Sequence, residues 1–99
     1  MRKYILDGRT AVEEPDLIRW VMWFETANRV VCQDWVGPRF VSTVFLGLDH
    51  NFAPNGGDPI LFETMVFLDG AEVRCWRTSS WNEAEGLHKL AVAEFSRLS

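Results

Sequence analysis

The chain of 99 residues, 47% hydrophobic and 24% charged, has the composition of one globular domain spanning 1–99, with enough core to need neither metal nor disulfide. Fourteen acids against ten bases give a net charge of −4, and the bases, eight arginines with Lys3 and Lys89, form no run. This balance argues against a protein that tracks a nucleic-acid backbone by neutralising phosphates and favours a basic protein surface as partner. No apolar stretch reaches the roughly 18 residues of a membrane span and the N-terminus lacks a signal-peptide core, so a cytoplasmic location away from membranes is expected.

Pro15-Asp16 opens the first predicted helix, because proline suits a first helical position and an acid meets the positive end of the helix dipole. Leu17, Trp20, Val21 and Phe24 recur at i, i+3, i+4 and i+7, which predicts a core-facing stripe and a helix running to about Ala27. Met22 and Trp23 fall outside it. The helix therefore carries apolar surface on more than one side, and Trp23 is expected to project outward.

Four runs rich in Val, Phe, Thr and Trp follow, at Arg29 to Val36, Phe40 to Leu48, Ile60 to Leu68 and Glu72 to Thr78. The turn dipeptides Gly37-Pro38 and Asp69-Gly70 make adjacent runs hairpins, so the sheet is an antiparallel meander. In the last run Glu72, Arg74, Trp76 and Thr78 alternate with Val73 and Cys75. The two central runs are apolar on both sides and call for cover on both, from helices or from a helix and a partner molecule. Ser80-Trp81-Asn82-Glu83 is a capping box that starts a C-terminal helix with Ala84, Leu87, Ala91, Phe95 and Leu98 as its buried stripe. Gly86 weakens this helix and is expected to allow close approach to the sheet. The fold class is α+β: a four-stranded antiparallel meander with an N-terminal and a C-terminal helix packed on it.

Polar chemistry concentrates in GLDHNFAPNGGDP, Gly47 to Pro59. Read as a catalytic site, it pairs Asp49 with His50 and adds Glu63 from the next strand, as equipment for general acid/base work. No nucleophile completes the set, since Ser42 and Thr43 are mid-strand rather than at an elbow, and adjacent strand residues point to opposite faces. Read as a turn, Asn55-Gly56-Gly57 supplies positive φ while Asp49 and Asn51 cap backbone amides. The turn reading accounts for more of the residues. No metal site is expected: the loop lacks the glycine and glutamate of a calcium loop, and no spacing brings His50 to His88. No cofactor motif is present either. Cys32 and Cys75, in separate strands without CxxC, are expected to be two reduced, buried thiols. Glu63, inside an apolar strand, must reach solvent or a partner such as Arg39 or Arg77.

Trp76 shares a face with Arg74, with Arg77 and Trp81 nearby, and tryptophan and arginine are the residue types that anchor protein interfaces. Trp23, Arg74, Trp76, Arg77 and Trp81 are therefore the candidate binding residues, against the plainer reading that the tryptophans fill the core.

STVFLGLDHNF (Ser42 to Phe52) and LFETMVF (Leu61 to Phe67), with YILDG near the start and WFET at Trp23 to Thr26, resemble a family of small, functionally uncharacterised bacteriophage and prophage proteins. The resemblance covers nearly the whole chain. It implies a phage-borne protein acting on a host system, with no assigned activity, cofactor or site residues. The loop NFAPNGGD departs from the family's glycine-rich form, which weakens a loop-based function. The expected function is a non-enzymatic protein-binding module, such as a phage inhibitor of a host defence or nucleic-acid-processing complex, with a host protein as partner. The alternatives are a small enzyme or nucleotide-binding protein using Asp49, His50 and Glu63, and a virion or assembly component. Homodimers are open to all three.

Overall fold

The computed structural model describes residues 1–98. In chain order it has β1 (Tyr4–Asp7), β2 (Thr10–Glu13), α1 (Leu17–Thr26), β3 (Val30–Val36), β4 (Arg39–Phe45), β5 (Phe62–Leu68), β6 (Ala71–Thr78) and α2 (Trp81–Ser96). The main sheet is the expected antiparallel meander β3-β4-β5-β6, and β1-β2 is a separate two-stranded hairpin. The sheet turns at the two dipeptides read from the sequence. Asp69 and Gly70 both take positive φ between Leu68 and its partner Ala71, as a two-residue type I′ turn requires.

The pairing register decides which side chains meet the helix. Val41, Thr43 and Phe45 of β4 stand opposite Val66, Thr64 and Phe62 of β5, and these six are the best-buried strand residues. α2 lies over them and contacts all four strands. Its start is the predicted capping box: Ser80 Oγ accepts the Glu83 amide while Glu83 accepts the Ser80 amide. The buried face of α2 is Ala84, His88, Ala91 and Phe95, spaced four, three and four. Leu98 is exposed. Gly86 faces open space, so it serves no close approach to the sheet.

Two clusters form the core. One gathers Tyr4, Phe45, Leu61, Phe62 and Ala84, and the other Val36, Val41, Val66, Ala91 and Phe95. Each fully buried large apolar side chain contributes about 1.5–3 kcal/mol relative to leaving it in water. Both thiols are less covered than expected, Cys32 being half-buried and Cys75 exposed.

α1 is capped by Asp16, whose carboxylate accepts the Arg19 amide. It docks at one end of the sheet by its aromatic residues. Trp20 Nε1 donates to the carbonyls of Tyr4 and Gly47, and Trp23 meets Phe45 edge-on at 5.8 Å. Gly47 makes this junction close. Its φ is +79°, and a Cβ there would lie 3.1 Å from the Phe24 ring. Gly47→Ala is expected to cost about 1–3 kcal/mol, since strained backbone and crowding act together. A urea titration of the purified variant measures it, and a loss below about 0.5 kcal/mol refutes the tight junction.

Candidate functional site

The mid-chain cluster is a turn. Asp49 Oδ1 accepts the amides of Asn51 and Ile60, and Asn51 accepts the Ala53 amide while its own NH2 donates to the Asp58 carbonyl at 2.8 Å. His50 Nδ1 sits 2.8 Å from the Leu48 carbonyl oxygen. Glu63 is spent elsewhere, as the partner of Arg77 at 3.0 Å across β5 and β6. Asp49, His50 and Glu63 thus each bond to different partners and not to one another.

The proposed binding residues divide. Trp23 is turned inward against the first core cluster, contrary to its expected outward direction, and Trp81 packs on the same cluster. Trp76 packs on the second. Arg74 shares the α2 side of the sheet with Trp76 as expected, its guanidinium 5.1 Å from the indole and 4.0 Å from Glu94. Arg77 lies on the opposite face with Glu63. Glu72 does not share the side of Arg74: a register shift after Val66 places it opposite Phe67. Beside Trp81 runs an open cleft of about 430 Å³ lined by Tyr4, Arg9, Ser80 and Asn82, with Arg9 stacked 5.4 Å from the indole. Trp81 Nε1 is buried there and has no hydrogen-bond partner among the described residues.

Three further features stand out, of which the sequence pattern signalled the first two only in part, while the third went unread. The first is the outward side of α1. With Trp20, Trp23 and Phe24 turned inward, Leu17, Ile18, Val21 and Met22 are left exposed, Ile18 at 71% and Met22 at 65%. The helix is apolar on both sides yet has no fully buried residue. A helix of that composition is normally enclosed.

The second is the sheet face opposite α2. Phe40, Ser42 and Val44 of β4 pair there with Phe67, Met65 and Glu63 of β5, and Trp35 of β3 joins Phe40 at a ring distance of 4.9 Å. Among the described residues no helix covers it, and Trp35 is 71% exposed. The apolar central strands therefore receive helix cover on one side only.

The third is a polar chain under α2. Thr64 and Thr43, paired across β5 and β4, share a hydroxyl hydrogen bond of 2.7 Å, and Thr43 Oγ1 is 2.8 Å from His88 Nδ1. His88 Nε2 lies 2.7 Å from Asp34 Oδ2, which also accepts from Cys32 Sγ at 3.4 Å. His88 is only 2% exposed, whereas the Asp34 side chain is 49% exposed at the sheet edge. The hydrogen bond from His88, then that from Cys32, holds the Asp34 carboxyl below its ordinary range, because both favour the ionised form. Burial, then the Asp34 contact, pushes the Cys32 thiol up. The order Thr43, His88, Asp34 imitates a nucleophile, base and orienter. Thr43 has no exposed surface, so no substrate reaches its hydroxyl.

Comparison with protein-family models, curated proteins and solved structures finds no match. Among the described residues, no helix is long and apolar enough to cross a membrane.

Proposed function

We propose that the protein is a non-enzymatic binding module that works by stoichiometric contact with a protein partner, seating the outward side of α1 in an apolar groove. The exposure of Leu17, Ile18, Val21 and Met22 on one short helix carries this reading. Their spacing gives adjacent anchors one turn apart, the pattern of helix-in-groove recognition. Around them Glu14, Asp16 and Glu25 outnumber Arg19. That charge opposes an anionic membrane surface, which an interfacial helix meets with lysine and arginine. Pairing with α1 of a second copy is also disfavoured by size. Ten residues make a helix about 15 Å long, and two such stripes bury well under the ~1,200 Å² at which standard interfaces begin. A concave partner enclosing the helix buries more.

The phage context implied by the sequence motifs makes a bacterial host protein the partner, within a defence or nucleic-acid-processing complex. The enzyme reading has less support, because Asp49, His50 and Glu63 each serve a local contact. The test is Ile18→Gln/Met22→Gln beside the wild type, in capture from host lysate followed by reconstitution with the purified partner. The double variant is expected to melt within a few degrees of the wild type, since both side chains are exposed, and to bind at least 30-fold more weakly. A 1:1 complex formed equally by both proteins overturns the assignment to α1. A wild type that recovers no partner, or that sizes as a stable dimer broken by Trp35→Ser, overturns the heteromeric reading in favour of self-assembly through the open sheet face.

A further inference from the structure

We infer that Cys32, Asp34 and His88 form a site for one divalent transition-metal ion of the zinc class, tying the edge strand β3 to α2. The site is separate from the α1 stripe and does not depend on it. Its donors are a thiol sulfur, a carboxylate oxygen and an imidazole nitrogen, with the ligating atoms all within 4.8 Å of one another. A tetrahedral ion with bonds of about 2.3 Å to sulfur and 2.0 Å to nitrogen and oxygen sets those atoms roughly 3.3–3.5 Å apart. The Cys32 Sγ to Asp34 Oδ2 distance is already 3.4 Å. The His88 Nε2 to Asp34 Oδ2 distance is 2.7 Å, so the carboxylate has to retreat by about half an ångström. Asp34 is half-exposed on an edge strand and has room to do so.

The donor set selects the metal. Sulfur and imidazole suit zinc and cobalt, whereas calcium and magnesium require oxygen ligands throughout. The spacing agrees with the fold: residues 32 and 34 project to one side of β3, and His88 comes down on them from the buried face of α2. Glu85, one turn earlier on α2, adds negative charge felt at Cys32.

The second layer of contacts is in place. Metal-binding histidines almost always donate from their other nitrogen, which fixes the ring. Here that nitrogen, Nδ1, faces the Thr43 hydroxyl, whose bond to Thr64 runs in either direction. With metal on Nε2, the ring proton resides on Nδ1 and donates to Thr43, which turns its own proton to Thr64. The Cys32 thiol proton leaves to solvent, and water completes the fourth position.

The experiment titrates the purified full chain with Co2+ alone and follows absorption. Wild type is expected to take one equivalent, with tetrahedral visible bands and a thiolate-to-cobalt charge-transfer band, all displaced by Zn2+. Zn2+ is expected to raise the thermal midpoint, and further with each tenfold increase in free metal above its Kd. Cys32→Ala should abolish the charge-transfer band, and Asp34→Asn should weaken binding at least tenfold. Both positions are outside the fully buried core, so both variants should fold. Cys75→Ala should bind as wild type does. Absence of the bands at tenfold excess Co2+, or bands that survive Cys32→Ala and vanish in Cys75→Ala, overturns the site.

Discussion

Replacing His88 with alanine is expected to destabilise the protein by about 3 kcal/mol, because it both opens a cavity and takes from the buried Thr43 hydroxyl one of its two hydrogen-bond partners, leaving only Thr64. The useful comparison is the triple replacement Thr43→Val, Thr64→Val and His88→Leu. It removes the hydroxyls together with the ring and should cost distinctly less than His88→Ala alone, since no buried polar atom is orphaned. Urea unfolding followed by tryptophan fluorescence measures both. A cost below about 1 kcal/mol for His88→Ala means the network contributes little beyond filling space. The difference between wild type and His88→Ala should also depend on pH. The folded carboxyl of Asp34 titrates below its ordinary value, chiefly because His88 bonds its ionised form. That contribution is fully present above the unfolded carboxyl's pKa and disappears as pH falls through the folded one, so the gap narrows in acid.

Phe45→Ala should have the larger effect, about 3–5 kcal/mol out of the 5–15 typical of small domains. Phe45 is fully buried where three parts of the fold meet. Its ring contacts Phe62 of β5 at 5.2 Å and Trp23 of α1 at 5.8 Å, and it shares a cluster with Tyr4 of β1. Its carbonyl also accepts from the Arg29 guanidinium, which itself lies 3.8 Å from the Phe24 ring. Since α1 has no fully buried residue of its own, losing this contact should release α1 and the β1-β2 hairpin before the main sheet. Hydrogen exchange should show amides of 17–26 losing protection first. Uniform loss across β4, β5 and α2 would mean that α1 is held by other contacts.

The main sheet and α2 were legible because their signals are local: Gly37-Pro38, Asp69-Gly70 and the Ser80-Glu83 capping box fix boundaries within a few residues. The β1-β2 hairpin was not read. Its strands are four residues each and mostly exposed or half-buried, so little alternation marks them, although Asp7-Gly8 repeats the dipeptide found at Asp69-Gly70. The rotation of α1 was also out of reach. A helix with apolar residues on both sides presents two possible faces, and only the socket formed by Gly47, Tyr4 and Phe45 selects Trp20, Trp23 and Phe24.

Among candidate residues, the Asx turns at Asp49 and Asn51 and the partner for Glu63 were visible as local or neighbouring-strand chemistry. The Cys32, Asp34 and His88 group was missed because its members come from β3 and α2, 54 residues apart for the Asp34–His88 pair. One clue was present. Position 88 lies on the same side of α2 as Ala84, Ala91 and Phe95, so a histidine on that apolar stripe had to find polar company beneath it.

The facing hydroxyls of Thr43 and Thr64 have one more effect, on how the chain finds its alignment. The central strands are nearly as apolar on one side as on the other, so greasiness alone discriminates poorly between the correct pairing and one displaced by a single residue. Displacement would carry both threonines away from the imidazole and leave that ring enclosed without a mate. The two small alcohols therefore act as a key for strand alignment, penalising the slipped arrangement more than they strengthen the right one.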